Sequence, residues 1–318
     1  MYKFKKDLQS SNSTINIPID KVGVLNLEKK VEIVQENRKY SFYPKISAFI
    51  GLPAEQRGVH MSRTSESIEE VINEVIYKPT PTIELVGDSI VKKLLERHPY
   101  TSKAEVKLEG KIIIQLREEH ERNIQKSYEI NSTVKAKRNM AGKIDYTYFI
   151  GASAVGMTVC PCSKEMSQEY AEEVIKTRKD INISQEDIDK LINLLPFASH
   201  NQRSKGTIIV EMKNLELHKI DVFDIINVIE ESMSGKIQSI LKRPDEAELV
   251  RIAHLNPLFA EDVIREMAKN FISRDFNNLD DQLNITFMIE SYESIHPYNV
   301  FSEVKITIGE LKNAVRQN

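Results

Sequence analysis

SESIEEVINEVIY (Ser65–Tyr77) sets Ile68, Val71, Ile72 and Val75 on one face at helical spacing, and the fold class follows from what flanks that helix. Ser65 or Ser67 can serve as its N-cap. Pro79 and Pro81 break it, and IELVGDSIVKKLLERH (Ile83–His98) makes a second helix. Upstream, VGVLNLEKKVEIVQ (Val22–Gln35) and KYSFYPKISAFIGL (Lys39–Leu52) alternate as a strand pair about ENR. Downstream, KAEVKLEGKIIIQLREE (Lys103–Glu119) and ERNIQKSYEINSTVKAK (Glu121–Lys137) read as two long strands. The order is strand–strand–helix–helix–strand–strand, preceded by a polar start expected to fray.

The second half repeats that order. KIDYTYFIGASAVGMTVC (Lys143–Cys160) and GTIIVEMKNLEL (Gly206–Leu217) are strands. DVFDIINVIEESMSGKIQSILKR (Asp221–Arg243) places Val222, Ile225, Ile226, Ile229, Met233, Ile237 and Ile240 at helical spacing, so one long amphipathic helix is expected. LFAEDVIREMAKNFISRDF (Leu258–Phe276) is another helix. LNITFMIESYESIH and NVFSEVKITIGEL close the pattern as strands. The expectation is an α+β chain of two tandem modules, 1–137 and 138–318, with antiparallel sheets. A helical insertion at about 163–199 interrupts the second, its second helix capped at Ser184 and ending before Pro196.

A formal charge of −3 argues against a polyanion binder working by bulk electrostatics, so no nucleic acid is expected. No run approaches the ~18 apolar residues of a membrane span, and MYKFKKDLQSSNST lacks the apolar core of a signal peptide. Two cysteines in 318 residues indicate a reducing compartment. A soluble cytoplasmic protein with no membrane partner is expected.

Both cysteines lie in VGMTVCPCSKE (Val155–Glu165). A disulfide between Cys160 and Cys162 would close a small, strained ring. Two inert buried thiols are the plain alternative. Against that, the pair sits where a strand breaks at Pro161 and Ser163, Lys164 and Glu165 follow at once. A structural zinc site needs four protein ligands, and no second cysteine pair exists. One thiolate with His or Glu and an open coordination position fits what is left.

Of seven histidines, His98, His120 and His218 sit in charged contexts and read as solvated. His60, His200 and His296 lie at element ends inside the polar clusters PAEQRGVHMSR, ASHNQRS and ESIHPYN. Arg57, Arg63 and Arg203 stand in two of these, and guanidinium forks suit phosphate or carboxylate. Each cluster alone could be a solvated loop. Together they favour a site for an anionic, polar small molecule. Glu246, after a helix end, and Glu261, in a first helical turn, are the acidic candidates, the latter explicable by the helix dipole alone. No phosphate-binding glycine loop, dinucleotide-binding turn or nucleophile elbow occurs.

GLPAEQRGVHMSR, CPCSKEMS, HNQRS, LKRPDE, NPLFAED and ESIH, in this order over roughly residues 50 to 300, resemble the type IB GTP cyclohydrolases. The long insertion between the second and third motifs is similar to the archaeal, methanopterin-pathway branch. The resemblance implies a tunnelling fold and a homodimer or homotetramer with sites at subunit junctions. It implies metal ligation by Cys160, His200, Glu246 and His296, with Fe(II) expected and Mn(II) or Zn(II) compatible with a mixed S/N/O shell. It makes Glu261 an anchor for guanine, which overrides the dipole explanation, and gives His60 a place in the site; Cys162 is read as a supporting neighbour of Cys160.

Hydrolysis at C8 of GTP would release formate, with Cys160, His200 and His60 as catalytic residues and a histidine carrying protons. Arg57, Arg63, Lys164, Gln202 and Arg203 would bind the substrate, chiefly its phosphates. The archaeal branch implies 7,8-dihydroneopterin 2',3'-cyclic phosphate as product. The bacterial branch implies dihydroneopterin triphosphate. A nitrile reductase of the same fold, or a noncatalytic nucleotide-binding or assembly module, are the competing readings.

Overall fold

The structure is a computed structural model that describes residues 7–35, 38–77, 81–118, 122–178, 180, 182–213, 220–274, 276 and 279–316. His120 and His218 lie outside these residues. The chain divides into two compact units, Met1–Ala152 with Val210–His218, and Ser153–Ile209 with Lys219–Asn318.

In the first unit, β1 (Ile19–Glu28), β2 (Val31–Gln35) and β3 (Arg38–Leu52) precede α1 (Met61–Tyr77) and α2 (Ile83–Arg97), and β4 (Lys103–Glu118) and β5 (Arg122–Arg138) follow. The stretch expected to be one strand is therefore two, and both pair antiparallel with β3. Alternation on β3 turns Phe42, Ile46, Ala48 and Ile50 inward. Helix faces meet them: Ile68, Val71 and Ile72 from α1 and Val86, Ile90 and Leu94 from α2 are all buried. Gly87 sets how closely α2 can lie on the strands, because a Cβ there would come within 2.8 Å of the Val134 side chain on β5. Helix α1 begins earlier than the serine caps suggest, and Ser67 Oγ instead donates to the Arg63 carbonyl within the helix at 2.7 Å. Nor is the described part of the start frayed: Ser13 N bonds Glu55 O at 2.8 Å and Arg57 N bonds Ser11 O at 2.9 Å.

The second unit takes up β6 (Ile144–Val159), α3 (Pro161–Thr177), α4 (Gln185–Leu194), β7 (Asn201–Met212), α5 (Val222–Glu231), β8 (Gly235–Lys236), α6 (Arg243–Leu255), α7 (Ala260–Ser273), β9 (Asn284–Ser291), β10 (Val300–Thr307) and α8 (Ile308–Arg316). β6 begins in the first unit and β7 ends there. The insertion has its two expected helices, and Ser184 caps the second by accepting from Asp187 N. Phe271 of α7 stacks on Phe276 and meets Phe287 of β9 edge-on, at 4.3 and 6.1 Å between ring centroids.

Two further expectations fail. The single helix over 221–243 ends at Glu231, where Ser232 closes it, and Gly235–Lys236 pair with Gly156–Met157 of β6 instead. Periodicity alone joined Ile237 and Ile240 to the helix, although Ser232, Ser234 and Gly235 are weak helix formers. Helix α6, with Pro244 in its first turn, was not foreseen as a helix. More broadly, the expected α+β tunnelling fold of two tandem six-element modules with antiparallel sheets is corrected. Among the described residues the strands form one ten-stranded antiparallel sheet, ordered β1-β3-β4-β5-β6-β7-β9-β10, with β2 on β3 and β8 on β6. Long strands such as β5 and β6 expose backbone groups on both sides, and pairing continues until those groups are met. No helix of the described residues is long and apolar enough to cross a membrane.

Candidate functional site

In the second unit β6 runs straight into a helix. Cys160 is the N-cap residue of α3, with Pro161 in the first turn, where proline's missing N–H costs nothing. The cysteine makes no side-chain capping bond, so its sulfur is not spent on the helix end. Its backbone is fixed from the other end of the insertion: Cys160 N donates to His200 O at 3.1 Å, and Ser199 Oγ donates to Cys160 O at 2.6 Å. Two more bonds close the excursion, Ser167 Oγ to Ala198 O at 2.8 Å and Gln168 Nε2 to Ile192 O at 3.2 Å. Buried His254 of α6 lies 3.3 Å from Ser199 O through Nε2. Cys160 and His200, far apart in sequence, are thereby neighbours.

They line one open cavity of about 680 Å³, together with Cys162, Ser163, Phe197 and Ile295 among others. Both thiols are free. His200 is mostly enclosed, its side chain 18% exposed. Its Nδ1 lies 3.0 Å from Gln202 Oε1 and 4.0 Å from a Glu293 carboxylate oxygen, and Gln202 Nε2 donates to Glu293 Oε1 at 3.2 Å. The Glu293 side chain is only 8% exposed.

Not every sequence candidate comes to this place. Glu246 is exposed in the first turn of α6, not beyond a helix end. His296 is exposed and stacks on Tyr298, with ring centroids 5.0 Å apart. Glu261 is exposed in the first turn of α7. Lys164 is half-buried in the first turn of α3, and Arg203 is exposed with its carbonyl accepting from Tyr292 N at 2.9 Å. Among the described residues no group of three or more His, Cys, Asp or Glu side chains could hold a metal ion. Cys160 and His200 are suitable donors in one cavity, but the four-ligand set is not gathered.

The first unit holds the other predicted cluster. Ser10 Oγ donates to Asp7 Oδ2 at 2.7 Å, so the contact between Ser10 Oγ and His60 Nε2, at 3.2 Å, uses a proton from the histidine. The Ser10 hydrogen bond, ahead of the charge of His60, holds the Asp7 carboxyl below its ordinary range. Arg57 is exposed, and half-buried Arg63 donates through Nη1 to Arg97 O at 3.3 Å. His98, expected to be solvated, is fully buried: Nδ1 meets Tyr100 OH at 2.7 Å and Nε2 meets Thr64 Oγ1 at 3.3 Å. Burial, then the nearby charges of Arg63, His60 and Arg97, pull its pKa down to about 4.

Sequence reasoning missed Glu293, Ser199 and buried His254. The available signal for Glu293 was its place at the head of ESIH, the motif from which only His296 was taken as a candidate.

The chain matches the family described as Type I GTP cyclohydrolase folE2 over residues 6–302. It is 35% identical over 314 residues to a protein named GTP cyclohydrolase MptA from Methanococcus aeolicus, covering 98% of this chain and 99% of that one. A protein of the same name from Methanocaldococcus jannaschii is 36% identical over 309 residues, covering 96% of each. Among solved structures, uricase from Arthrobacter globiformis aligns with a TM-score of 0.52 at 8% identity, covering 91% of this chain and 93% of that chain. That likeness concerns the fold alone. With a family match over nearly its whole length and Cys160 and His200 joined at one cavity, the chain belongs to the type I GTP cyclohydrolases of the folE2 family.

Proposed function

We propose that this enzyme hydrolyses GTP in pterin biosynthesis: one water adds at C8 and breaks the first C8–N bond to leave a formamide, and a second water breaks the other and releases that carbon as formate. The observation that supports it most directly is the pairing of Cys160 and His200 in one open cavity, in a chain about 35% identical over nearly its full length to proteins named GTP cyclohydrolase MptA. The opened ribose then rearranges and recyclises to a dihydropterin. The resemblance to the archaeal branch favours 7,8-dihydroneopterin 2',3'-cyclic phosphate as product, a ribose hydroxyl closing on the α-phosphorus as diphosphate leaves, with the triphosphate as the other outcome.

Cys160 and His200 are the residues that would hold a divalent ion, Fe(II) first and Mn(II) or Zn(II) next, whose contribution is to make water nucleophilic near neutrality. Nitrogen Nε2 of His200 is the atom that would face the ion, since Nδ1 is taken by Gln202. Basic side chains at Lys164, Arg203, Arg57 and Arg63 are proposed for the phosphates, Glu261 for guanine and His60 as the proton carrier. A homodimer or homotetramer in the cytoplasm completes the proposal.

The test is anaerobic incubation with GTP and each metal in turn, following formate and pterin fluorescence, with mass spectrometry of the product. Formate release that falls at least 100-fold in Cys160→Ser and less than about 5-fold in Cys162→Ser is expected, because Cys160 is the thiol that would hold the ion with His200 and Cys162 is its supporting neighbour. No formate with any metal refutes the activity; equal losses refute the division between the thiols.

A further inference from the structure

The site rests on three adjacent strands in a regular two-layer arrangement. Thr158 of β6, Ser204 of β7 and Ser291 of β9 are buried and joined: Thr158 to Ser204 at 2.7 Å, Ser204 to Ser291 at 2.6 Å and Thr158 to Ser291 at 3.3 Å. Two residues further towards the cavity on the same chains stand Cys160, Gln202 and Glu293, on the same side by the period of extended chain. The bond from Tyr292 N to Arg203 O carries the β7–β9 pairing past the end of β9 and sets Gln202 opposite Glu293.

We infer that Gln202 and Glu293 are positioning residues that fix the tautomer of His200, holding the proton on Nδ1 and leaving the lone pair on Nε2. The inference deepens the proposed function, since it specifies which nitrogen of His200 works. A carboxylate offers only acceptors, so the Gln202 atom facing Glu293 must be its NH₂ group, as the 3.2 Å contact has it. The amide oxygen then necessarily faces His200, and at 3.0 Å it accepts from Nδ1–H. Nε2, for which the described residues supply no hydrogen bond, becomes the basic nitrogen. Enclosure makes the relay firm: with its side chain 8% exposed, Glu293 has little water to turn to. Gln202 touches His200 and Glu293 touches Gln202, and neither is among the residues lining the cavity, which is the place of positioning residues.

The test reads the tautomer directly, by NMR of the full-length protein labelled with ¹⁵N-histidine, free of GTP and of metal. The His200 signals are assigned by their loss in His200→Gln. Wild type should show the Nδ1–H form. In Glu293→Gln the facing amides can point either way, so the Nε2–H form should rise to a comparable population. The double variant Gln202→Glu/Glu293→Gln places an acceptor-only carboxylate directly on Nδ1 and should restore the Nδ1–H form. In turnover assays Glu293→Gln should lower kcat about 10- to 100-fold with KM for GTP within about threefold. An Nε2–H histidine in wild type, or an unchanged tautomer in Glu293→Gln, overturns the inference. These spectra decide it without any turnover, so a failed formate assay would refute the GTP activity alone.

Discussion

His98 follows the last turn of α2 with no surface of its own and hydrogen-bond partners at both ring nitrogens. Its charged form is disfavoured by burial first and by Arg63, His60 and Arg97 next, so its pKa falls from 6.5 to about 4. Between those values the unfolded chain binds a proton that the folded chain does not. Its contribution to stability is therefore whole above pH 6.5 and is lost as pH falls towards 4, by at most a few kcal/mol. Urea midpoints measured at pH 7, 5.5 and 4.5 should drop more steeply for wild type than for His98→Gln. Parallel slopes would mean that His98 binds its proton equally in both states. The charged residues around His98 in sequence suggested solvent. What they could not show is that Thr64 and Tyr100 supply its polar partners inside, which is a matter of how α1 and α2 pack.

At the scale of elements, alternation was a good guide where one face of a strand is apolar, as on β3, and a poor one where a buried face is polar. Thr158, Ser204 and Ser291 sit at inward positions and gave no hydrophobic signal, yet they join the three strands beneath the site. The motif CPCSKE marked Cys160 and HNQRS marked His200, but their adjacency depends on an insertion that leaves and re-enters between neighbouring strands, which no local pattern contains. Helix α5 was overextended for a related reason. Met233 packs over Gly156 of β6, where a Cβ would come within 2.3 Å of the Met233 side chain, so the chain turns into β8 at a contact set by another strand. The hydroxyl ring makes a specific energetic prediction. Ser204→Ala strips a partner from both buried neighbours and should cost about 1–3 kcal/mol in urea unfolding. The triple change Thr158→Val, Ser204→Ala and Ser291→Ala removes all three groups together and should cost less than the sum of the single changes. Strict additivity would show that the three hydroxyls do not act as a unit.

For the whole molecule, the unexplained feature is apolar surface beside the cavity. Helix α3 has no buried residue, and it exposes Met166, Tyr170 and Val174 at intervals of one turn. Met166 and Tyr170 also line the cavity, and Ile295 on its rim is 61% exposed. A monomer gains nothing by showing a continuous apolar stripe to water, whereas a surface that meets a second copy does. The proposed homo-oligomer supplies that copy and would narrow a cavity that is otherwise open. Native mass spectrometry should then give an even multiple of 36.5 kDa for wild type. Tyr170→Glu puts a charge, costly to desolvate, in the stripe and should shift the mass towards 36.5 kDa with loss of formate release. Val174→Glu, on the same stripe but not among the cavity-lining residues, separates the two effects: if assembly completes the site, it too should lower both mass and turnover. A variant that stays assembled, or one that dissociates and keeps full turnover, would show that α3 is not the face through which copies of this chain build the site.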